Sequence, residues 1–108
     1  MTAAAKGCAE AGGEVIGILP GPDDSLANPY VTIAIATNMG HARNVIIAHT
    51  AQVLVAIEGE YGTLSETAIA LKLGKPVYVL PGGQNIAGTT PVESPQQAVA
   101  LALESLQR

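Results

Sequence analysis

Val53-Leu54-Val55-Ala56-Ile57-Glu58-Gly59-Glu60-Tyr61-Gly62-Thr63-Leu64-Ser65-Glu66 carries an apolar run into a helical one through a turn with two glycines. Gln52 to Ile57 is short, apolar and β-branched, the mark of a buried strand. Thr63 to Leu73 reads as a helix, with Gly74 at its C′ position and Pro76 just beyond. A strand that turns on glycine into a helix N-terminus exposes backbone N–H groups at the positive end of the helix dipole. That suits an anion, typically phosphate. Many α/β turns with two glycines bind nothing, so the pattern alone leaves both outcomes open.

The same alternation extends outward. Thr2 to Ala11 is Ala-rich and stops at Gly12-Gly13, as a helix does. Glu14 to Leu19 and Tyr30 to Ala36 read as strands, separated by a loop rich in Pro, Gly and Asp from Pro20 to Ser25. Asn38-Met39-Gly40 opens a helix through about His49. Pro76 to Leu80 is a strand and Pro81 to Asn85 a loop. Ser94-Pro95 starts a last helix, Ser at the N-cap and Pro at N1, that runs to Leu106. Apolar strands alternating with helices predict an α/β fold: one domain over residues 1–108, with a parallel sheet between helical layers. Helix-to-strand junctions are short. Strand-to-helix junctions carry Pro20-Gly21, Asn38-Met39-Gly40, Glu58-Gly59-Glu60-Tyr61-Gly62 and Pro81-Gly82-Gly83. Ligands of open α/β sheets bind beyond the carboxyl ends of the strands. The glycine-bearing junctions mark that rim as the site.

Composition narrows the functions. The 108 residues include 48% hydrophobic and 13% charged residues, and the mean hydropathy is +0.34. A chain this apolar is not disordered. The longest uncharged run, Ser25 to Ala42, is broken by Asn28, Pro29, Asn38 and Gly40, so it makes no transmembrane helix. The net charge of −4 excludes an ordinary basic groove for nucleic acid, and three Tyr with no Phe or Trp supply few stacking platforms. A single Cys8 excludes a disulfide framework and a multi-Cys zinc site. Met1 to Lys6 lacks the apolar stretch of a secretory signal, so a cytoplasmic, reduced setting is expected.

Two side chains stand out. Thr63 and Glu66 have the spacing of a capping box, in which Thr63 caps the helix and Glu66 reaches back to its N–H. The functional alternative makes Glu66 a carboxylate at the floor of a ligand cleft. Arg43 falls in the first turn of its helix, where the dipole disfavours a cation. Its partner is then a carboxylate or an anionic ligand, unless it is simply solvated. His41 and His49 lie about 12 Å apart along one helix, too far for one metal ion, and no metal or cofactor site is expected. Cys8 reads as a small hydrophobe. Lys6, Lys72 and Lys75 show no cofactor context.

The segments Gly17-Ile18-Leu19-Pro20-Gly21, Asn28-Pro29-Tyr30-Val31, Gly40-His41-Ala42-Arg43-Asn44-Val45-Ile46 and Tyr61-Gly62-Thr63 through Lys75-Pro76 together resemble one superfamily. It is the Rossmann-like group of the Lonely Guy phosphoribohydrolases and the molybdenum cofactor carrier proteins, and the bacterial carrier-like branch is the most similar. The resemblance covers nearly the whole chain. It implies a Rossmann-like three-layer fold that here lacks the family's first two strands. It also implies a bound nucleoside monophosphate or phosphorylated pterin. Pro20, Gly21, Met39, Gly40, Gly59, Tyr61, Gly62 and Thr63 would line the ligand site. Arg43 and Glu66 would take the roles that, in Lonely Guy enzymes, cleave the N-glycosidic bond. An older label of the group, lysine decarboxylase, is set aside, because nothing here resembles a Schiff-base lysine site.

Three departures bear on activity. Glu58 and Glu60 stand where relatives have small residues. Asn44 follows Arg43, where Lonely Guy enzymes usually carry Lys. The chain begins inside what resembles the family's second helix, so a homo-oligomer is expected to cover the missing edge. The first expectation is a nucleotide-binding protein resembling the phosphoribohydrolases. The alternative is a pterin carrier without turnover.

Overall fold

The computed structural model describes residues 1–57 and 61–107. Among the described residues, four helices and five strands appear in the order α1 (Thr2–Glu10), β1 (Ile16–Leu19), β2 (Ile33–Ala36), α2 (Arg43–Thr50), β3 (Leu54–Ala56), α3 (Tyr61–Lys72), β4 (Val77–Val79), β5 (Thr90–Pro91) and α4 (Pro95–Leu106). A single 3-10 turn, Gly40–Ala42, precedes α2. The helix expected from Asn38 therefore starts later. Asn38 and Gly40 take positive φ of 51° and 56°, which no α-helical residue adopts. The expected single sheet is two parallel sheets, one of β1–β2 and one of β3–β4–β5. The chain divides into two compact units, Met1–Arg43 and Asn44–Arg108.

In the first unit α1 ends on a Schellman motif. Gly13 N donates to Cys8 O at 2.9 Å and Gly12 N to Ala9 O at 3.0 Å, with Gly12 at φ +83°. β1 and β2 pair in parallel with Ile16 opposite Ile33 and Ile18 opposite Ile35. Side chains alternate along a strand, so these isoleucines share one face. All of β2 is exposed, including Ile33 and Ile35. The β1–β2 connection is an irregular loop stiffened by side-chain turns. Asp23 Oδ1 accepts from Ser25 N at 3.0 Å and Asn28 Oδ1 from Tyr30 N at 2.9 Å.

In the second unit β3 pairs with β4 and β4 with β5, all parallel. Val77 and Val79 are each 1% exposed and cluster with Ala48 of α2, Ala56 of β3 and Ala70 of α3. Tyr78, between them, faces the other way, where its hydroxyl bonds Ser105 Oγ of α4. Helices α2 and α3 therefore cover one face of this sheet and α4 the other. Alanines in the helices bring the backbones close to the sheet. Full burial of each valine contributes about 1.5–3 kcal/mol. Helix α3 also ends on a Schellman motif, Lys75 N to Ala70 O and Gly74 N to Leu71 O, both at 3.0 Å. Ser94 caps α4 by accepting from Gln97 N at 3.1 Å. Strand β5 was not expected. It consists of two residues, one of them proline. Proline is tolerated because β5 is an edge strand. Val92 N donates to Val79 O of β4 at 2.9 Å, so the Pro91 nitrogen points the other way.

Candidate functional site

The carboxyl end of the β1–β2 sheet gathers several of the expected residues. Asn38 N donates to Gly21 O at 2.8 Å and Gly40 N to Pro20 O at 3.0 Å. Thr37 Oγ1 donates to Leu19 O at 2.7 Å and accepts from Met39 N at 3.2 Å. Pro20, Gly21, Met39 and Gly40 thus meet at one rim, where Met39 is 49% exposed. Only residues tolerant of positive φ let the chain turn here, which is why Asn38 and Gly40 sit in this loop.

Arg43 belongs to the same unit. Its Nη1 donates to the carbonyl oxygen of Ile18 at 2.6 Å. The strand pattern explains why that carbonyl is available. Val15 O accepts from Ile33 N, and Leu19 O accepts from Thr37 N. By alternation the Ile18 carbonyl points away from β2. A guanidinium has five donors, so this bond leaves others for further partners.

In the second unit, Tyr61, Gly62, Thr63 and Glu66 fall on α3. The helix spans Tyr61–Lys72, so Thr63 lies within it rather than at its N-cap. Tyr61 is 87% exposed, Gly62 is exposed, and Thr63 and Glu66 are half-buried. The first-turn N–H groups of an α-helix have no partner within it, and the dipole is positive there. Gly59, with its neighbours Glu58 and Glu60, lies outside the described residues.

Two further features belong to this unit. Asn44, only 4% exposed, donates from Nδ2 to the Gly62 carbonyl at 3.4 Å. The sequence signal for its burial was its spacing one turn before Ala48, which is 0% exposed, on the same face of α2. The other feature is the Leu80-Pro81-Gly82-Gly83 turn. Gly83 N donates to Leu80 O at 3.0 Å and Gly82 has φ +92°, a type II turn with Pro and Gly in their preferred places. A Cβ on Gly83 would stand 2.6 Å from Val79 Cγ1 and 4.0 Å from Ala56 O, so this turn lies over the carboxyl ends of β3 and β4. It was recognised as a glycine-bearing junction but not counted among the site residues. A shallow groove lined by Leu71, Gly74, Pro76 and Gly88 lies at the opposite, amino end of β4. Among the described residues no three His, Cys, Asp or Glu are grouped to hold a metal ion. No described helix is long and apolar enough to cross a membrane.

These rims belong to a recognisable fold. The profile of the SLOG cluster4 family matches residues 1–106. The chain belongs to the SLOG cluster4 family. A relative in Archaeoglobus fulgidus is 49% identical over 105 residues, which cover 97% of this chain and 69% of that protein. The molybdenum cofactor binding protein of Rippkaea orientalis superposes with a TM-score of 0.87 at 33% identity, over 97% of this chain and 69% of that one. The molybdenum cofactor carrier protein of Chlamydomonas reinhardtii does so with a TM-score of 0.84 at 37% identity, again over 97% and 69%. Within the SLOG cluster4 family, then, this chain has the Rossmann-like architecture of cofactor carriers, as its motifs implied.

Proposed function

We propose that the protein binds a phosphorylated pterin of the molybdenum cofactor type as cargo and carries it without turnover. The observation that supports this most is the likeness to two proteins named for binding or carrying that cofactor, at 33% and 37% identity over 97% of the chain. The start of α3 supports it chemically, because first-turn amides suit a phosphate group. In this reading Gly59, Tyr61, Gly62 and Thr63 take the phosphate end of the ligand. Glu66 orients the ligand, and no bond is cleaved. We place the protein in the cytoplasm as a homo-oligomer.

The test is to incubate the purified protein with isolated molybdenum cofactor under anaerobic conditions and then desalt it. Molybdenum and pterin fluorescence are measured in the protein fraction. One equivalent per chain is expected. A protein fraction with neither signal would overturn the carrier reading. A parallel incubation with AMP covers the phosphoribohydrolase reading: release of adenine, abolished by Glu66→Gln, would establish that one instead.

A further inference from the structure

We propose that Asn44 is a positioning residue for the ligand, because it sets where the first-turn amides of α3 stand. The inference rests on the reading that α3 presents those amides to a phosphorylated ligand. An asparagine 4% exposed requires hydrogen-bonding partners, since an unpaired buried amide costs about 1–3 kcal/mol. Asn44 Nδ2 finds one 18 residues away in sequence, the Gly62 carbonyl. That carbonyl already accepts the N–H of Glu66 through the regular i to i+4 helix bond. A carbonyl oxygen has two lone pairs, and Asn44 occupies the second. At 3.4 Å the bond is long.

The consequence is geometric. Gly62 offers no side chain to brace the helix start, and Tyr61 is 87% exposed, so it braces little. The Asn44 amide bonds to this turn from another element. It also accounts for a departure from the Lonely Guy pattern. A lysine here would bury an ammonium beside the positive ends of α2 and α3, which is unfavourable for both desolvation and the dipoles. A neutral donor holds the turn without that cost.

Asn44→Leu removes the donor with little change of volume. Amide hydrogen exchange in the ligand-free protein is the first measurement. We expect at least tenfold faster exchange at Ser65 and Glu66, with Ala70 to Lys72 at the far end of α3 unchanged. Affinity for isolated molybdenum cofactor is the second, expected to weaken at least tenfold, about 1.4 kcal/mol. A purely structural Asn44 would lower the melting temperature and leave the affinity of the folded protein as it was. That result, or unchanged exchange at the first turn, overturns the proposal. Should Asn44→Leu fail to fold, Asn44→Asp keeps size and polarity but cannot donate, and the same two results are expected of it. If the wild-type protein takes up no cofactor, the carrier reading falls, while the exchange measurement still decides whether Asn44 sets the turn.

Discussion

Lys75 holds the end of α2: its Nζ stands 2.7 Å from the carbonyl oxygen of Ala48, and equally 2.7 Å from that of His49. The last carbonyls of a helix lack intrahelical partners, and the dipole there is negative, so a cation fits. One side chain from the turn after α3 thus ties α2 to β4. Lys75→Met should lower stability by about 1–3 kcal/mol, the range for hydrogen bonds to a charged group. The melting temperature should fall by about 4–8 °C per kcal/mol for a chain of this size. An unchanged melting temperature would show that the tie contributes nothing.

Glycine substitutions should split by position. Gly83→Ala puts a methyl group 2.6 Å from Val79 Cγ1, and Val79 is 1% exposed, so neither can move freely. A loss of about 1–3 kcal/mol is expected from overpacking. Gly7, inside α1, has nothing within 4 Å of such a methyl. Gly7→Ala should stabilise by about 0.5–1 kcal/mol through helix propensity. Denaturant midpoints of the two variants should move in opposite directions.

Glu58 and Glu60 immediately precede α3, where a phosphate group is proposed to bind. Like charges oppose each other by about 2–3 kcal/mol at 5–7 Å and an effective dielectric of ~20. Replacing both by Gly should tighten cofactor binding at least tenfold, about 1.4 kcal/mol. Calorimetry of the two forms gives the answer, and equal affinities would mean that the carboxylates do not oppose the ligand.

The side chain and backbone of Ser25 donate to Asp23 and hold its carboxyl below the usual carboxylate range. A lowered folded-state value means that this stabilisation is complete above the unfolded value, about 3.9, and is lost as pH falls through the folded one. Ser25→Ala removes the hydroxyl and should move the Asp23 titration upward, as followed by NMR. No movement would mean that the hydroxyl does not reach the carboxylate.

Exposed apolar side chains bear on assembly. Val99, Leu103 and Leu106 lie along the outer face of α4, each more than half exposed, while Ala98 on its inner face is 1% exposed. A helix apolar on both faces normally buries both. Light scattering at micromolar concentration should give a mass of at least two chains, and Val99→Asp with Leu103→Asp should reduce it. A wild-type mass of one chain would refute this.

The legible parts of the fold were those written in local chemistry. Ser94-Pro95 marked the start of α4, and Gly12 and Gly74 marked the ends of α1 and α3, because caps and positive φ demand particular residues. The start of α3 was misplaced, because Thr63 reads as an N-cap but lies two residues inside the helix, and neither Tyr61 nor Gly62 signals a helix start. Strand β5 carries no periodicity in two residues, and the division into two sheets has no local signature. The meeting of Pro20 and Gly21 with the loop before α2 was legible because both are junctions at the carboxyl ends of strands. The partner of Arg43 was not, since Ile18 offers a main-chain carbonyl, which every residue has. Asn44 drew attention only as a departure from a motif. Its bond to Gly62 depends on a packing of α2 against α3 that spacing within either helix does not reveal.

The near-complete exposure of Tyr61 makes it an optical reporter. With no tryptophan and three tyrosines, near-ultraviolet emission comes from Tyr30, Tyr61 and Tyr78 alone. Tyr78 is tethered to Ser105 beneath α4, and Tyr30 sits half-buried in the β1–β2 loop, whereas Tyr61 stands in water at the head of α3. Quenching by iodide or acrylamide should therefore act first on Tyr61. A pterin seated there would shield that ring and absorb its emission, so uptake of cargo could be followed on the unlabelled protein.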